Sequence, residues 1–186
     1  MNLWLRLLRV LLASRFALLL PMPGGVSRLR FRVWPHDLDT SLHMNNGRYL
    51  TLMDLGRLDM MARSGLLRAA IRHRWTPIAS TMKIRYRREL RLLDRVRLET
   101  RLLTWDDLSV VMEQVFVLET GRYAEQVAAQ ALFKGGLYDR NERRFLPISR
   151  LMQEIGVSAA SPPPSPDVEA FLKADEELKR KGAERG

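Results

Sequence analysis

His36-Asp37-Leu38-Asp39-Thr40-Ser41-Leu42-His43-Met44-Asn45-Asn46-Gly47-Arg48-Tyr49 concentrates the polar, chemically able side chains of this chain and runs directly into Leu50-Thr51-Leu52-Met53-Asp54-Leu55-Gly56-Arg57-Leu58-Asp59-Met60-Met61. Asp37, Asp39, Ser41 and His43 alternate in sequence, then two asparagines and a glycine precede the apolar run. An Asn side chain accepts from the unpaired N–H groups of a first helical turn, so a helix is expected to start near Asn45 or Asn46. Projected at helical spacing, Tyr49, Leu50, Leu52, Met53, Leu55, Leu58, Met60 and Met61 surround the axis, as in a helix enclosed by other structure. Arg48 is a cation at the positive end of that helix and requires an anionic partner, Asp39 or a ligand.

The helix is expected to run from about Gly47 to Arg63, closed by Ser64-Gly65, with residues 66–74 a short helical or irregular connector. Before it, residues 28–34 alternate Leu29, Phe31 and Val33 with Arg30, Arg32 and Trp34, the pattern of a strand. After it, strands are expected over residues 78–90, 94–105, 108–120 and 122–138, with no helix between them. Met82, Ile84 and Tyr86 alternate with Lys83, Arg85 and Arg87, and Val96, Leu98 and Leu102 with Arg95, Arg97 and Arg101. Each strand thus has one buried and one wet face. Asp106-Asp107 and Thr120-Gly121 are natural turns between antiparallel neighbours, and Gly135-Gly136 marks a bulge or a close backbone approach. Periodicity therefore predicts an α+β domain.

The run from Asp37 to Tyr49 resembles the signature of hotdog-fold thioesterases: an Asp-x-Asp, a His, and Asn-Asn before the central helix. Tyr86-Arg87-Arg88-Glu89 resembles a second segment found in plant acyl-acyl-carrier-protein (acyl-ACP) thioesterases. The longer phrase from His36 to Arg57 is similar to thioesterase-superfamily-member-six-like proteins. The resemblance implies a curved antiparallel sheet wrapped around a central helix, a homodimer or higher homo-oligomer, and an active site between subunits. It implies catalytic roles for Asp39, His43 and Glu89. Ser41 stands where the plant branch has an amide that orients the thioester, so its role as a substrate contact transfers less directly.

Composition bounds the chemistry. The 186 residues suit one domain with tails, and no cysteine is present to act as nucleophile, disulfide or zinc thiolate. The formal charge of +10 suits acidic partners such as coenzyme A phosphates, an acidic carrier protein or anionic lipid. Nucleic acid is disfavoured, because no finger spacing or base-stacking motif accompanies the charge. Residues 1–20 are rich in Leu, contain Trp4 and Phe16, and carry Arg6, Arg9 and Arg15 without an acid. Asn2, Arg6 and Arg9 share a helical face there. This segment is read either as peripheral contact with a membrane surface or as a helix packed on the domain. Arg9 and Arg15 interrupt a spanning helix.

Three regions are expected: residues 1–25, an apolar and basic helix ending in the hinge Pro21-Met22-Pro23-Gly24-Gly25; residues 26–157, the hotdog domain; and residues 158–186, a Ser/Pro linker and a short charged helix peripheral to the chemistry. The expected location is the cytoplasm, with membrane association as the alternative. Thioester hydrolysis needs a base or carboxylate nucleophile, and donors for the oxygen that gains charge. Asp39 supplies the first, with His43 and Glu89 positioning water and substrate. The backbone amides of Asn46 and Gly47 supply the second. Ser41, Asn46, Gly47 and Arg48 are the substrate-binding candidates; Lys83, Arg85 and Arg87 read first as a solvated strand face and second as a grip on phosphates, and Met and Leu of the central helix read equally as core packing or as the lining of an acyl channel. No cofactor is expected. A metal held by His36, Asp37, Asp39 and His43 is disfavoured by the spacing. His73 is expected in solvent and His36 with Asp37 as a surface pair. An acyl-CoA or acyl-ACP thioesterase is the leading reading. A non-catalytic acyl-binding or membrane-associated hotdog scaffold is its rival, and a hotdog dehydratase is third.

Overall fold

The computed structural model describes residues 3–184, so Asn2 lies outside the described residues. Helix α1 (Leu3–Phe16) precedes strand β1 (Val26–Arg32); a 3₁₀ turn at Pro35–Asp37 leads to α2 (Asn46–Arg63) and α3 (Leu66–His73). Strands β2 (Trp75–Tyr86), β3 (Arg95–Trp105), β4 (Val110–Leu118), β5 (Val127–Asp139) and the two-residue β6 (Arg144–Phe145) follow, then α4 (Ile148–Glu154) and α5 (Pro166–Ala183). All sheet pairings are antiparallel in the order β1-β3-β4-β5-β2, with β6 on β5. The sheet curls around α2, which is the hotdog arrangement.

The chemistry of α2 explains its seat. Asn45 caps it by accepting from Gly47 N at 2.8 Å, and Ser64 followed by left-handed Gly65 ends it. Gly56 is where the helix presses hardest on β3, since a Cβ there would meet Thr100 Oγ1 at 2.5 Å. Gln114 of β4, fully buried, pins the two together by donating to Met53 O at 2.8 Å and Thr100 Oγ1 at 3.0 Å. Met53, Leu98 and Phe116 fill the centre of the core. The helix is not enclosed all round, however: Leu50 and Asp54 face outward, leaving an open stripe that the radial spread of Leu and Met did not reveal.

Several expectations shift. Strand β2 begins at Trp75, three residues before the expected start, because Trp75, Thr76 and Pro77 already pair with β5. It ends at Tyr86, because Arg87 N and Arg88 N both donate to Ala128 O and the chain turns out of the sheet. The stretch before β5 is a loop up to Gln126, with Gly121 and Glu125 at positive φ. The expected bulge is real: pairing slips between Ala79 and Thr81, and a Cβ on Gly135 would meet Ile78 O at 2.7 Å. The segment after Pro21 is a tight turn, closed by Gly25 N donating to Pro21 O at 2.7 Å. Helix α4 is an element that the sequence periodicity does not predict. The terminal helix α5, at 18 residues, is longer than expected, and it packs Val168 and Phe171 against Val111 and Leu132.

Candidate functional site

The polar stretch folds into a loop with two walls. A turn closes its tip, with Asp39 N donating to His43 O at 2.8 Å and Leu42 N to Asp39 O at 3.1 Å, leaving Leu42 at a φ of 60°. Isolated bridges then join Leu38 to Met44 and His43 to Arg91, and Met44 N donates to Leu90 O at 2.8 Å. These contacts bring the segment after β2 against the loop.

The outer wall holds the residues expected to act. His43 Nε2 lies 2.6 Å from Glu89 Oε2, both side chains part-exposed, so Glu89 reaches His43 within one chain. Glu89 also engages Arg91, whose Nε is 2.9 Å away. Asp39 is half-buried in the same loop, one carboxylate oxygen accepting from Ser41 N at 2.9 Å. The structure thus pairs His43 with Glu89, while Asp39 sits in the same loop with its carboxylate engaged by Ser41 N. Ser41 is exposed and takes part through its backbone.

The inner wall is built on Asp37. Its carboxylate is fully buried and accepts from Arg6 Nη1 at 3.0 Å, Arg6 Nη2 at 2.6 Å and Trp34 N at 2.9 Å. Arg48 Nε lies 3.2 Å from it, and Arg48 Nη2 donates to His36 O at 3.0 Å. The anionic partner of Arg48 is therefore Asp37 and not Asp39, because the first helical turn places Arg48 over the buried side of the loop. His36 Nε2 is 3.5 Å from Asp37 Oδ1, a pair with one buried member rather than a surface pair. No group of acids and histidines able to hold a metal ion occurs among the described residues. His73 also departs from expectation: it stacks on Trp75 with ring centroids 4.7 Å apart and is half-buried.

The expected oxyanion donors lie in the first turn of α2. Gly47 N is spent on the Asn45 cap, which leaves the Asn46 amide as the remaining member of the expected pair. Below the loop, Tyr49 packs edge-on against Tyr86 and Phe116, each 5.1 Å away. Burial first, and the charge on Tyr86 second, push the Tyr49 hydroxyl well above the usual tyrosine range, against a backbone hydrogen bond from Leu90. Tyr86 in turn donates to Asn46 O at 3.3 Å.

Two concavities are of interest, one beside the outer wall and one farther along α2. Beside Glu89, a cleft is lined by Arg87, Arg88, Arg91, Arg122 and Tyr123, with the Arg88 and Arg122 guanidinium groups 4.1 and 4.6 Å from the Tyr123 ring centre. Of the basic strand residues Lys83, Arg85 and Arg87, only Arg87 lines it; the run Arg87-Arg88-Glu89-Leu90-Arg91 signals Arg88 and Arg91, while Arg122 comes from the loop before β5. Further along α2, a largely apolar cavity of about 180 Å³ lies among Met60, Met61, Phe133, Leu137, Leu151 and Met152. Arg57 and Asp54 also line it, and Arg57 sits 4.0 Å over the Phe133 ring. Burial lowers the Arg57 guanidinium from its ordinary value, although Asp54 pulls the other way.

A hotdog domain with a polar loop at the N-terminus of its central helix is the class these observations define. Comparison with known proteins places it further: the model of the Thioesterase-like superfamily matches residues 33–172, and the chain belongs to that superfamily. It is 46% identical over 85 residues to Protein THEM6 of Xenopus laevis, covering 46% of this chain and 41% of that protein. Against Protein THEM6 of Danio rerio it is 40% identical over 96 residues, covering 52% and 48%. The chain therefore spans less than half the length of these curated relatives. The crystal structure of YbaW, a probable thioesterase from Escherichia coli, matches with a TM-score of 0.63 at 25% identity, over 69% of this chain and 96% of that one.

Proposed function

We propose that this protein hydrolyses an acyl thioester of coenzyme A or acyl-carrier protein, with Asp39, His43 and Glu89 as its catalytic residues. The observation that carries the reading is the 2.6 Å pair of His43 and Glu89 in the loop that holds Asp39. Asp39 takes a proton as water oxygen bonds to the carbonyl carbon, and the carbonyl electrons move to the oxygen beside the Asn46 amide. Collapse breaks the carbon–sulfur bond, and the thiolate takes the proton. Glu89 fixes the His43 ring through Nε2, leaving Nδ1 to orient water or substrate.

The arginine cleft beside Glu89 supports a phosphate-bearing carrier, because guanidinium groups bind phosphate in paired hydrogen bonds. The apolar cavity supports an acyl or aromatic group of modest size, since a dry cavity of about 150 Å³ already accepts benzene. Asp54 lies eight positions after Asn46 on α2, roughly 12 Å of helix, so loop and cavity are distant within one chain. Strand β2 is the sheet edge on that side. Antiparallel pairing of two β2 edges would set Tyr86 of one copy toward Pro77 and Ile78 of the other, bringing one loop near the other cavity. A homodimer follows from this reading.

The rival reading, an acyl-binding scaffold without turnover, is favoured by the commitment of Gly47 N and one Asp39 oxygen to turn and cap bonds. A panel of short, long and aromatic acyl-coenzyme A thioesters, and acyl-ACP, offered to the protein and to Asp39→Asn decides between them. Thiol release that collapses in the variant supports hydrolysis; binding without thiol release supports the scaffold.

A further inference from the structure

Helix α1 turns its side chains against the usual rule for a helix facing water. Arg6 points inward, 2% exposed and doubly bonded to buried Asp37, while Leu3 and Leu7 pack beside it and Val10 is buried. Outward stand Trp4, Leu5, Leu8, Leu12 and Phe16, of which Trp4 is 73% and Phe16 86% exposed. Leu18 and Leu19 continue the apolar surface past the helix end, also exposed. We infer that this face of α1 lies in the surface of an anionic phospholipid bilayer, with the helix in the membrane plane.

Charge selects this occupant over a second copy of the chain. Residues 1–36 contain Arg6, Arg9, Arg15, Arg28, Arg30 and Arg32 and no acid. Asp37, the first acid, is buried and consumed by Arg6 and Arg48. Two α1 faces brought together would oppose Arg9 and Arg15 with like charges and offer them no carboxylate from either helix, whereas anionic headgroups answer both. Trp and Arg are also the side chains suited to the headgroup boundary, where the apolar body is buried and the polar end stays wet. Length sets the geometry: 14 helical residues reach about 21 Å, short of a hydrocarbon core of about 30 Å, and none of the described helices is long and apolar enough to cross a membrane. The Arg6–Asp37 bridge keeps α1 flat on the domain. Because Asp37 also holds the loop that carries Asp39 and His43, docking brings that loop to the membrane.

The test is flotation of the full chain with vesicles of phosphatidylcholine alone or with added phosphatidylserine. The wild type should float with the phosphatidylserine vesicles and detach as salt is raised. Leu8→Ser with Leu12→Ser leaves the charge unchanged and touches no core residue; it should weaken partitioning by about tenfold or more. Arg9→Gln with Arg15→Gln should weaken it on anionic vesicles selectively. Brominated lipid chains should quench tryptophan fluorescence in the wild type and much less in Trp4→Phe. Absence of flotation, or flotation equal in the Leu8→Ser, Leu12→Ser variant, overturns the inference, the latter by exposing general charge adsorption. It is equally overturned if sedimentation velocity shows those serines dissociating a dimer while lipid is ignored.

Discussion

The inner and outer walls of the 36–48 loop are made from the same short run of residues, yet they live under different physics. Asp37 and Asp39 are two residues apart. The first has no solvent contact and holds two arginines and a backbone amide; the second is half-buried and holds one amide of its own turn. A carboxylate surrounded by donors in a dry site is committed to structure, because removing it strands charges that water cannot reach. A carboxylate with spare lone pairs near solvent remains available for chemistry. Burial separates the two carboxylates of this Asp-x-Asp, and spacing alone does not say which one is committed to structure.

The largest expected effect comes from breaking the inner wall. Asp37→Asn leaves Arg6 buried without its anion and should cost about 3–5 kcal/mol of stability in urea unfolding. Adding Arg6→Met to that variant should restore part of the loss, since a neutral pair of similar volume no longer carries a stranded charge. If Asp37→Asn unfolds at the wild-type midpoint, the division of labour between the two aspartates is wrong.

Breaking the outer wall should do the opposite. Asp39→Asn should lower kcat/KM for a cleaved acyl thioester by about 10²–10⁴-fold, the usual range for a lost general base, while unfolding free energy moves within about 0.5 kcal/mol, since the amide oxygen still accepts from Ser41 N and no buried charge is stranded. Parallel losses of stability and rate would mean that Asp39, too, is structural.

How much of this contrast could be read beforehand follows from the reach of each interaction. The cap at Asn45, the stop at Ser64-Gly65 and the turn at Asp106, which accepts from Ser109 N at 2.7 Å, are local and were legible. So was the alternation that buries Val96 and Leu98. The grouping of Asp39, His43 and Glu89 came from resemblance, and only the His43–Glu89 contact is visible in one chain. The role of Asp37 was hidden because Arg6 lies 31 residues earlier, on a helix whose inward charge contradicts its pattern. Buried Asp59, which accepts from Ser27 Oγ at 2.6 Å, was hidden for the same reason. Helix α4 escaped because seven residues give almost no periodicity; Ile148, Leu151 and Met152 become legible as a helix face only once they are seen closing the apolar cavity.

A smaller effect sharpens the comparison through pH. Tyr49, 2% exposed and packed against Tyr86 and Phe116, has a folded-state hydroxyl raised above its ordinary value of 10.0. Its contribution is fully present below that value and is lost as pH rises above it, because the unfolded chain then releases a proton that the folded chain retains. Tyr49→Phe should therefore remove part of the alkaline fall in stability above pH 10 while leaving the neutral range less affected. An unchanged alkaline limb in the variant would assign the loss to other groups.

The smallest stability effect should come from the contact that matters most for the proposed chemistry. His43 and Glu89 are 2.6 Å apart, but their side chains are 38% and 42% exposed, so solvent screens the attraction and holding the two groups costs side-chain entropy. A double-mutant cycle with His43→Gln and Glu89→Gln should give a coupling in unfolding free energy below about 1 kcal/mol. The same cycle in kcat/KM should be strongly non-additive, each single change removing most of what the double change removes, as for groups that act as a unit. A large coupling in stability with additive effects on rate would reverse the assignment, making the pair a structural clasp between the loop and the segment after β2. In that case the outer wall would differ from the inner one only in its exposure to water.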